Sequence, residues 1–295
     1  MAGESKSSIL SAFPTQYLPK SILIKKNEIN QQHILDRISI VDISFPFILK
    51  PDMGNRGFKV SLIKNEEELS HYLTGIKADL ILQEYINYET ELGIFYYKYP
   101  GQEKGHISSL CLKELLSVTG DGVSNIEELM MKESRARLQI DRLQDENQNL
   151  LSIVLPKGKE QLIEPIGNHS RGTKFIDANQ YIDQKLCHHF DEISNSIDGI
   201  NYGRYDIKCH SIDQLKNDGQ FKILEFNGAN AEATHVYDPS LSLLQRYKDI
   251  YKHWNVMFEI SELQKTTGVE SISWSEAMEV AREYNRHKKT AGLET

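Results

Sequence analysis

The chain has 295 residues and a formal net charge of −8. That length allows one large domain or two modest ones with room for a core, and the acidic balance argues against nucleic acid, whose phosphates need a clustered basic face. Three cysteines, Cys111, Cys187 and Cys209, form no close pair, so neither a disulfide framework nor a zinc motif is indicated, and no apolar run is long enough for a membrane span or a leader, so the expected setting is a reducing cytoplasm.

From the N-terminus, "SKSSILSAF" reads as a short helix, and Phe13, Pro14 and Pro19 break the chain before a strand, "KSILIKK". "QQHILDRI" suits a helix. "FPFILK" is a strand cut by the glycine loop "PDMGNRG", and "FKVSLIK" resumes as a strand. In "NEEELSHYLTGI", Asn65 is the expected N-cap of a helix, with Glu68 at the capping-box position. "DLILQEYI", "ELGIFYYKY" and "GHISSLCLKEL" read as strands, the last two as a pair. "GDG" is a turn, and "NIEELMMKESRARLQIDRLQDEN" is a polar helix whose dense charge implies a solvated face. "LIEPIG" is a strand and "QYIDQKLCHHFDEISNSI" a helix. His188 and His189 there point in different directions without zinc spacing. "YGRYDIKCHSI" and "FKILEFNG" are neighbouring strands. "SLSLLQRYKDIYKHWNVMFEI" is an amphipathic helix in which Tyr247, Tyr251 and Trp254 are expected to pack, and "SWSEAMEVAREYNRHKK" opens with a capping-box pattern at Ser273 and Glu276. Strands and helices interleave without the alternation of a doubly wound sheet, which predicts an α+β fold with antiparallel sheets.

The chemistry concentrates at strand ends. Glu225 and Asn227 stand at i and i+2, so both side chains face one side of a strand, about 7 Å apart along the backbone. Arg204 and Asp206 repeat that spacing in the preceding strand. If the two strands pair, Asp206, Glu225 and Asn227 converge as oxygen donors for Mg²⁺, with Arg204 beside them; the bland reading is an exposed strand end. Lys50 ends an apolar strand before Gly54 and Gly57, glycines that let backbone amides approach an anion, and it offers a point charge to phosphates. Taken alone this is equally a surface hairpin. The backbone at Gln83, Glu84, Tyr85 and Ile86 offers an edge for adenine and Glu91 an acceptor for ribose hydroxyls, although by itself the stretch reads more simply as strand and loop.

The order of Lys50 with its glycine loop, "QEYI" with a downstream glutamate, "RYD" and "EFN" resembles the ATP-grasp superfamily, from about Lys6 to Trp254. "LLSVTGDGVSNIEELM" resembles the Val-Gly-Asp-Gly segment of cyanophycin synthetases and of the ATP-grasp half of bifunctional glutathione synthetases. "GNHSRGTKFIDAN" resembles their Asn-x-Ser-x-Gly-Gly loop, with Thr173 in place of the second glycine. The chain is also similar to relatives of D-alanine–D-alanine ligases. The resemblance implies an ATP-grasp fold whose two lobes sandwich the nucleotide: residues 1–86 as the N-terminal lobe, 87–260 as the C-terminal lobe, and 261–295 as a helical extension. The family's usual N-terminal domain is expected to be absent or much reduced.

The function so implied is ATP-dependent ligation of a small-molecule carboxylate to an amine, or to a thiol, through an acyl phosphate. ATP and Mg²⁺ are the implied cofactors. Lys6 and Lys50 become phosphate lysines, Gln83 to Ile86 the adenine hinge, Glu91 the ribose acceptor, and Asp206, Glu225 and Asn227 the metal ligands. Arg204, with Arg171 and Lys174 of the "SRGTK" loop, becomes catalytic. Where the ligases continue with proline and glycine, this chain has "NGANAEATHVYDP", so Asn230, Glu232 and His235 fall on the substrate side, as does His169. Glu232 suits the ammonium of an amine acceptor. An ATP-grasp kinase acting on a hydroxyl and a nucleotide-binding module without turnover stay open, intact metal ligands favouring turnover. No nucleic-acid or membrane partner is expected, and a homodimer is left open.

Overall fold

The computed structural model describes residues 5–54 and 57–291. Asn55 and Arg56 of the glycine loop lie outside them. After α1 (Lys6–Ser11), whose Leu10 packs with the second sheet described below, the first sheet and its helices are β1 (Ser21–Ile24), α2 (Gln31–Ile40), β2 (Phe47–Pro51), β3 (Ser61–Ile63), α3 (Glu66–Leu73) and β4 (Leu80–Glu84), with strand order β1-β4-β2-β3 and every pairing antiparallel. Alternation along β2 and β4 turns Phe47, Leu49, Leu80 and Leu82 to one face, where Ile34 and Leu69 from the two helices close the core. Asn65 caps α3 by accepting from Glu68 N at 2.9 Å. The Glu68 carboxylate accepts from Lys64 N, not Asn65 N, so the expected capping box is only half formed.

The later elements are β5 (Thr90–Tyr97), β6 (His106–Glu114), β7 (Ser117–Thr119), α4 (Ile126–Met131), α5 (Ser134–Arg137), α6 (Ile140–Leu151), β8 (Glu160–Leu162), β9 (Lys174–Asp177), α7 (Gln184–Asn195), β10 (Tyr202–Cys209), α8 (Ile212–Asp218), β11 (Phe221–Asn227), α9 (Leu243–Thr266) and α10 (Trp274–Ala291). The second sheet has the order β11-β10-β5-β6-β9, with β10 antiparallel to both neighbours. Leu92, Ile94, Phe190, Tyr205, Ile207 and Ile223 fill its core. The α+β class with antiparallel sheets is therefore as the sequence predicts.

Contacts group Met1–Leu112 with Ile176–Thr295 and set Lys113–Phe175 apart as a second compact unit, a division not expected from the sequence. Two expectations fail in that second unit. The stretch from Asn125 is not one solvated helix. It breaks into α4, α5 and α6 at Lys132–Glu133 and Leu138–Gln139, and its apolar positions Ile126, Met130, Ala136 and Ile140 are buried in a core of their own. The strand expected at 162–167 lies earlier, at Glu160–Leu162, paired with β7.

The last failure concerns α9. Its buried positions are His253, Val256 and Ile260, whereas Tyr247, Tyr251 and Trp254 are exposed. No helix among the described residues is long and apolar enough to cross a membrane.

Candidate functional site

β10 and β11 bring the predicted oxygen donors together. Asp206 faces Glu225 and Arg204 faces Asn227 across the pair. Asp206 is buried, and Arg204 Nη2 donates to its Oδ2 at 3.0 Å, as does Asn227 Nδ2 at 3.0 Å. Burial works against the Arg204 charge, but Asp206 outweighs it and the guanidinium pKa is raised. Glu225 remains partly open, with its side chain 37% exposed. Among the described residues no group of three or more His, Cys, Asp and Glu side chains forms a ready metal cage. Mg²⁺ needs less, because one or two carboxylates complete its shell with phosphates and water. Two carboxylates and a carboxamide on adjoining strands fit that requirement.

The register slips by one residue beside this cluster. Asp206 faces Glu225 while Ile207 faces Ile223, which makes Leu224 the extra residue of a β-bulge. Its carbonyl accepts from Lys50 Nζ at 3.3 Å, and Lys50 also donates to Gln83 Oε1 at 3.0 Å. Lys50 is buried, and burial lowers its pKa to about 8 against the raising influence of Glu225. Lys6 arrives from α1. Its Nζ lies 3.9 Å from Glu225 Oε1 and donates to Gly54 O. Asp52 makes this possible, a residue with no place in the sequence argument: it is buried, its carbonyl accepts from Lys6 N and its carboxylate from Ser7 N. Gly57 has φ 68°, the left-handed conformation that glycine adopts without strain.

At the predicted adenine hinge, Glu84 is already engaged: its N–H donates to Lys20 O, and its carboxylate accepts from Lys20 N at 3.0 Å, so it holds β1 in the sheet. Of the four residues expected at that edge, Gln83, Tyr85 and Ile86 remain as candidates. Gln83 is buried, and its Nε2 has no hydrogen-bond partner, an orphaned donor of the kind a bound ligand satisfies. Lys208 is a further residue the sequence reading missed. It is buried, donates to Ile86 O at 3.1 Å, stands 4.9 Å from the Tyr85 ring centre and pairs across the strands with Glu91, itself buried. The signal was present: Arg204, Asp206 and Lys208 alternate at i, i+2 and i+4 on one face of β10.

On the substrate side the expectations divide. Asn230 and Glu232 are exposed. The Glu232 carbonyl accepts from Arg204 Nη1 at 3.0 Å, and its carboxylate accepts from the Tyr237 hydroxyl. Burial, then Glu232, pushes the Tyr237 pKa up to about 12. His235 is a correction. It is only 2% exposed, bonded between Ser109 Oγ at 2.7 Å and Asp249 Oδ2 at 3.3 Å, so it ties β6 to α9 and has no surface for a substrate.

The remaining predicted residues belong to the second unit and have partners within it. Arg171 Nη1 lies 3.3 Å from Oε2 of the buried Glu164, which also holds Arg142 Nη2 at 2.8 Å. Lys174 pairs with Glu114 at 2.9 Å on an exposed strand. His169 lies 3.2 Å from Arg135 Nη2, and burial followed by that guanidinium lowers its pKa. Thr173, in place of a glycine, is fully buried, and its carbonyl accepts from Arg135 Nη1.

The family model of the RimK-like ATP-grasp domain matches residues 6–94, the stretch that carries Lys6, Lys50, the hinge and Glu91. Over that stretch the chain is similar to an ATP-grasp domain. Among solved structures, a bifunctional glutathione synthetase from Pasteurella multocida is 16% identical over 85% of this chain and 35% of its own length, with a TM-score of 0.39. The VanG D-Ala:D-Ser ligase from Enterococcus faecalis is 14% identical over 88% of this chain and 59% of its own, with a TM-score of 0.45. An N5-carboxyaminoimidazole synthetase from Staphylococcus aureus, complexed with ADP, is 14% identical over 79% and 45%, with a TM-score of 0.45. The chain thus spans about a third to three fifths of the length of these proteins. No curated protein matches it.

Proposed function

We propose that the chain is an ATP-dependent ligase that joins a small-molecule carboxylate to an amine. The observation that carries this reading is the meeting of Lys6 of α1 and Lys50 of β2 with Glu225 and Leu224 of β11, beside Asp206, Asn227 and Arg204. Two ammonium groups, a guanidinium and oxygen donors for a hard cation suit a triphosphate whose terminal group is being transferred.

In the proposed reaction a carboxylate oxygen of the donor attacks the γ-phosphorus of ATP. The bond to the β,γ-bridging oxygen breaks and ADP leaves. The amine nitrogen of the acceptor then attacks the acyl carbon, expels inorganic phosphate and loses a proton. Lys50 and Lys6 hold the phosphates, and Arg204 stabilises the oxyanion that forms on the acyl carbon. Asp206, Glu225 and Asn227 would hold Mg²⁺, which when bound neutralises charge on the phosphate oxygens. Gln83 and Lys208 orient the base, and Glu91 the ribose. Arg171, Lys174 and His169 have no assigned part, since their partners within the second unit account for them.

Sustained ADP release over many turnovers should require a carboxylate and an amine together, with one inorganic phosphate per amide formed. A stable phospho-product from a hydroxylated substrate would replace this reading with a kinase. Glu232, beside Arg204, supplies the negative charge that an ammonium acceptor needs. Glu232→Gln should raise the acceptor KM and leave the ATP affinity unchanged; equal kinetics in both proteins would remove Glu232 from the site.

A further inference from the structure

The strand that carries Glu225 and Asn227 contains one residue more than its pairing needs. In "FKILEFN", the apolar side chains of Phe221, Ile223 and Phe226 all pack with the core of the second sheet, at spacings of two and then three. Strict alternation puts only every second residue on one face, so one residue between Ile223 and Phe226 must stand outside the ladder. The register identifies it as Leu224, because Ile223 faces Ile207 while Glu225 faces the adjacent Asp206. Removal of Leu224 would leave Phe221, Ile223 and Phe226 in strict alternation, with Glu225 and Asn227 still facing Asp206 and Arg204. Gathering the oxygen donors is therefore not what the bulge is for.

The extra residue adds a peptide group outside the pairing, and its carbonyl needs a donor from elsewhere. Lys50 of β2 is that donor, at 3.3 Å. Lys50 is itself buried, where an ammonium is stable only among hydrogen-bond acceptors. Gln83 Oε1 of β4 supplies one at 3.0 Å, and Leu224 O of β11 supplies another. Two of the three N–H donors of the ammonium are thereby directed, one within the first sheet and one onto the second.

We propose that Leu224 is a positioning residue whose bulged carbonyl holds the Lys50 ammonium on β11, next to Glu225, leaving the third donor for a phosphate oxygen. The proposal rests on the phosphate role given to Lys50 above. It assigns the part to a backbone group, so a motif built on side chains would not record it.

Magnesium tripolyphosphate, which has the phosphates of ATP without base or sugar, is the probe, with affinity measured by calorimetry on the full chain. Deletion of Leu224 should weaken its binding about tenfold, the scale of disturbing one hydrogen bond to a charged group. Leu224→Ala keeps the carbonyl and should bind as the parent does. In the Lys50→Met background the deletion should have no further effect, because the donor is already gone. Equal weakening with and without Lys50 would overturn the proposal, since the bulge would then act through strand twist. Leu224→Ala as weak as the deletion would overturn it in favour of the leucine side chain.

Urea unfolding without ligand gives a second cycle. The deletion should lower the midpoint more in the parent, where it takes an acceptor from a buried ammonium, than in Lys50→Met, where the carbonyl has already lost its donor. Equal falls would overturn the proposal. If the parent does not bind tripolyphosphate, the phosphate role of Lys50 fails and with it the reading above, whereas the urea cycle still decides whether Leu224 holds Lys50. If the deletion does not fold, the α-hydroxy acid in place of Glu225 turns the Leu224 carbonyl into an ester, a weaker acceptor of the same shape, and both cycles are run on that protein.

Discussion

Two clusters pair arginine with a carboxylate, and they differ in what remains open. In the second unit, Glu164 is 3% exposed, its Oε2 accepts from both Arg142 and Arg171, and its Oε1 accepts from Ile166 N. In the β10–β11 cluster, Asp206 is similarly occupied by Arg204 and Asn227, but Glu225, opposite it, is 37% exposed, with Lys6 at 3.9 Å. The first cluster is electrostatically finished. The second has positive charge from Lys6, Lys50 and Arg204 converging on a carboxylate still able to take a ligand. Residue type alone makes Arg171 and Arg204 look equivalent; the accessibility of the neighbouring carboxylate separates them.

The comparison is most exposed to failure at Glu164. Glu164→Ala leaves two guanidinium groups without their carboxylate, and removal of one partner from a buried pair costs ~3–5 kcal/mol. Urea unfolding should record a loss of that order; a loss below about 1 kcal/mol would mean that Glu164 is not structural. Glu225→Gln should do the reverse, lowering turnover by about 10²–10³-fold, the effect of losing one preorganised charge, with the unfolding midpoint held. A fall in midpoint without a fall in turnover would merge the two clusters into one class.

A smaller effect tests the burial of Lys50. Its folded pKa of about 8 lies below the ordinary 10.5. Between those values the unfolded chain binds more protons, so this group makes stability rise with pH from about 8 to 10.5. The ammonium needed for phosphate is lost over the same interval. ATP affinity measured by calorimetry should therefore weaken about tenfold between pH 7 and pH 9 while stability increases, and Lys50→Met should remove both trends. The smallest effect belongs to Lys174→Ala. Its pair with Glu114 is half exposed on both sides, so stability should change by less than about 0.5 kcal/mol.

The β10–β11 face was legible in the sequence because strand geometry has period two, and two polar pairs at that spacing can converge only if the strands are neighbours. Lys208 obeys the same rule and was passed over because the motif was read as ending at Asp206. Asp52 carries no such signal: its role depends on α1 returning to the end of β2, a contact between residues far apart in the chain. The helices from Ile126 to Leu151 were misread because dense charge hid a helical spacing that restarts at each break. For α9 the amphipathic pattern was real, but a helix with two apolar faces gives no indication of which one meets the core. His235 looked like a ligand residue because it follows β11 closely. The short helix at Thr234–Tyr237 turns it inward.

One tight spot in the cluster belongs to a residue with no side chain. Gly93 pairs with Asp206 across β5 and β10, and a Cβ there would lie 2.9 Å from Thr234 Oγ1 and 3.5 Å from both Arg204 Cδ and Asp206 Oδ1. In a randomised library, selection for soluble yield alone would already return position 93 to glycine, whereas position 225 would drift until selection for turnover was applied. Sorting one pool of variants twice, first by abundance and then by activity, would therefore separate the residues that make room for the chemistry from those that perform it.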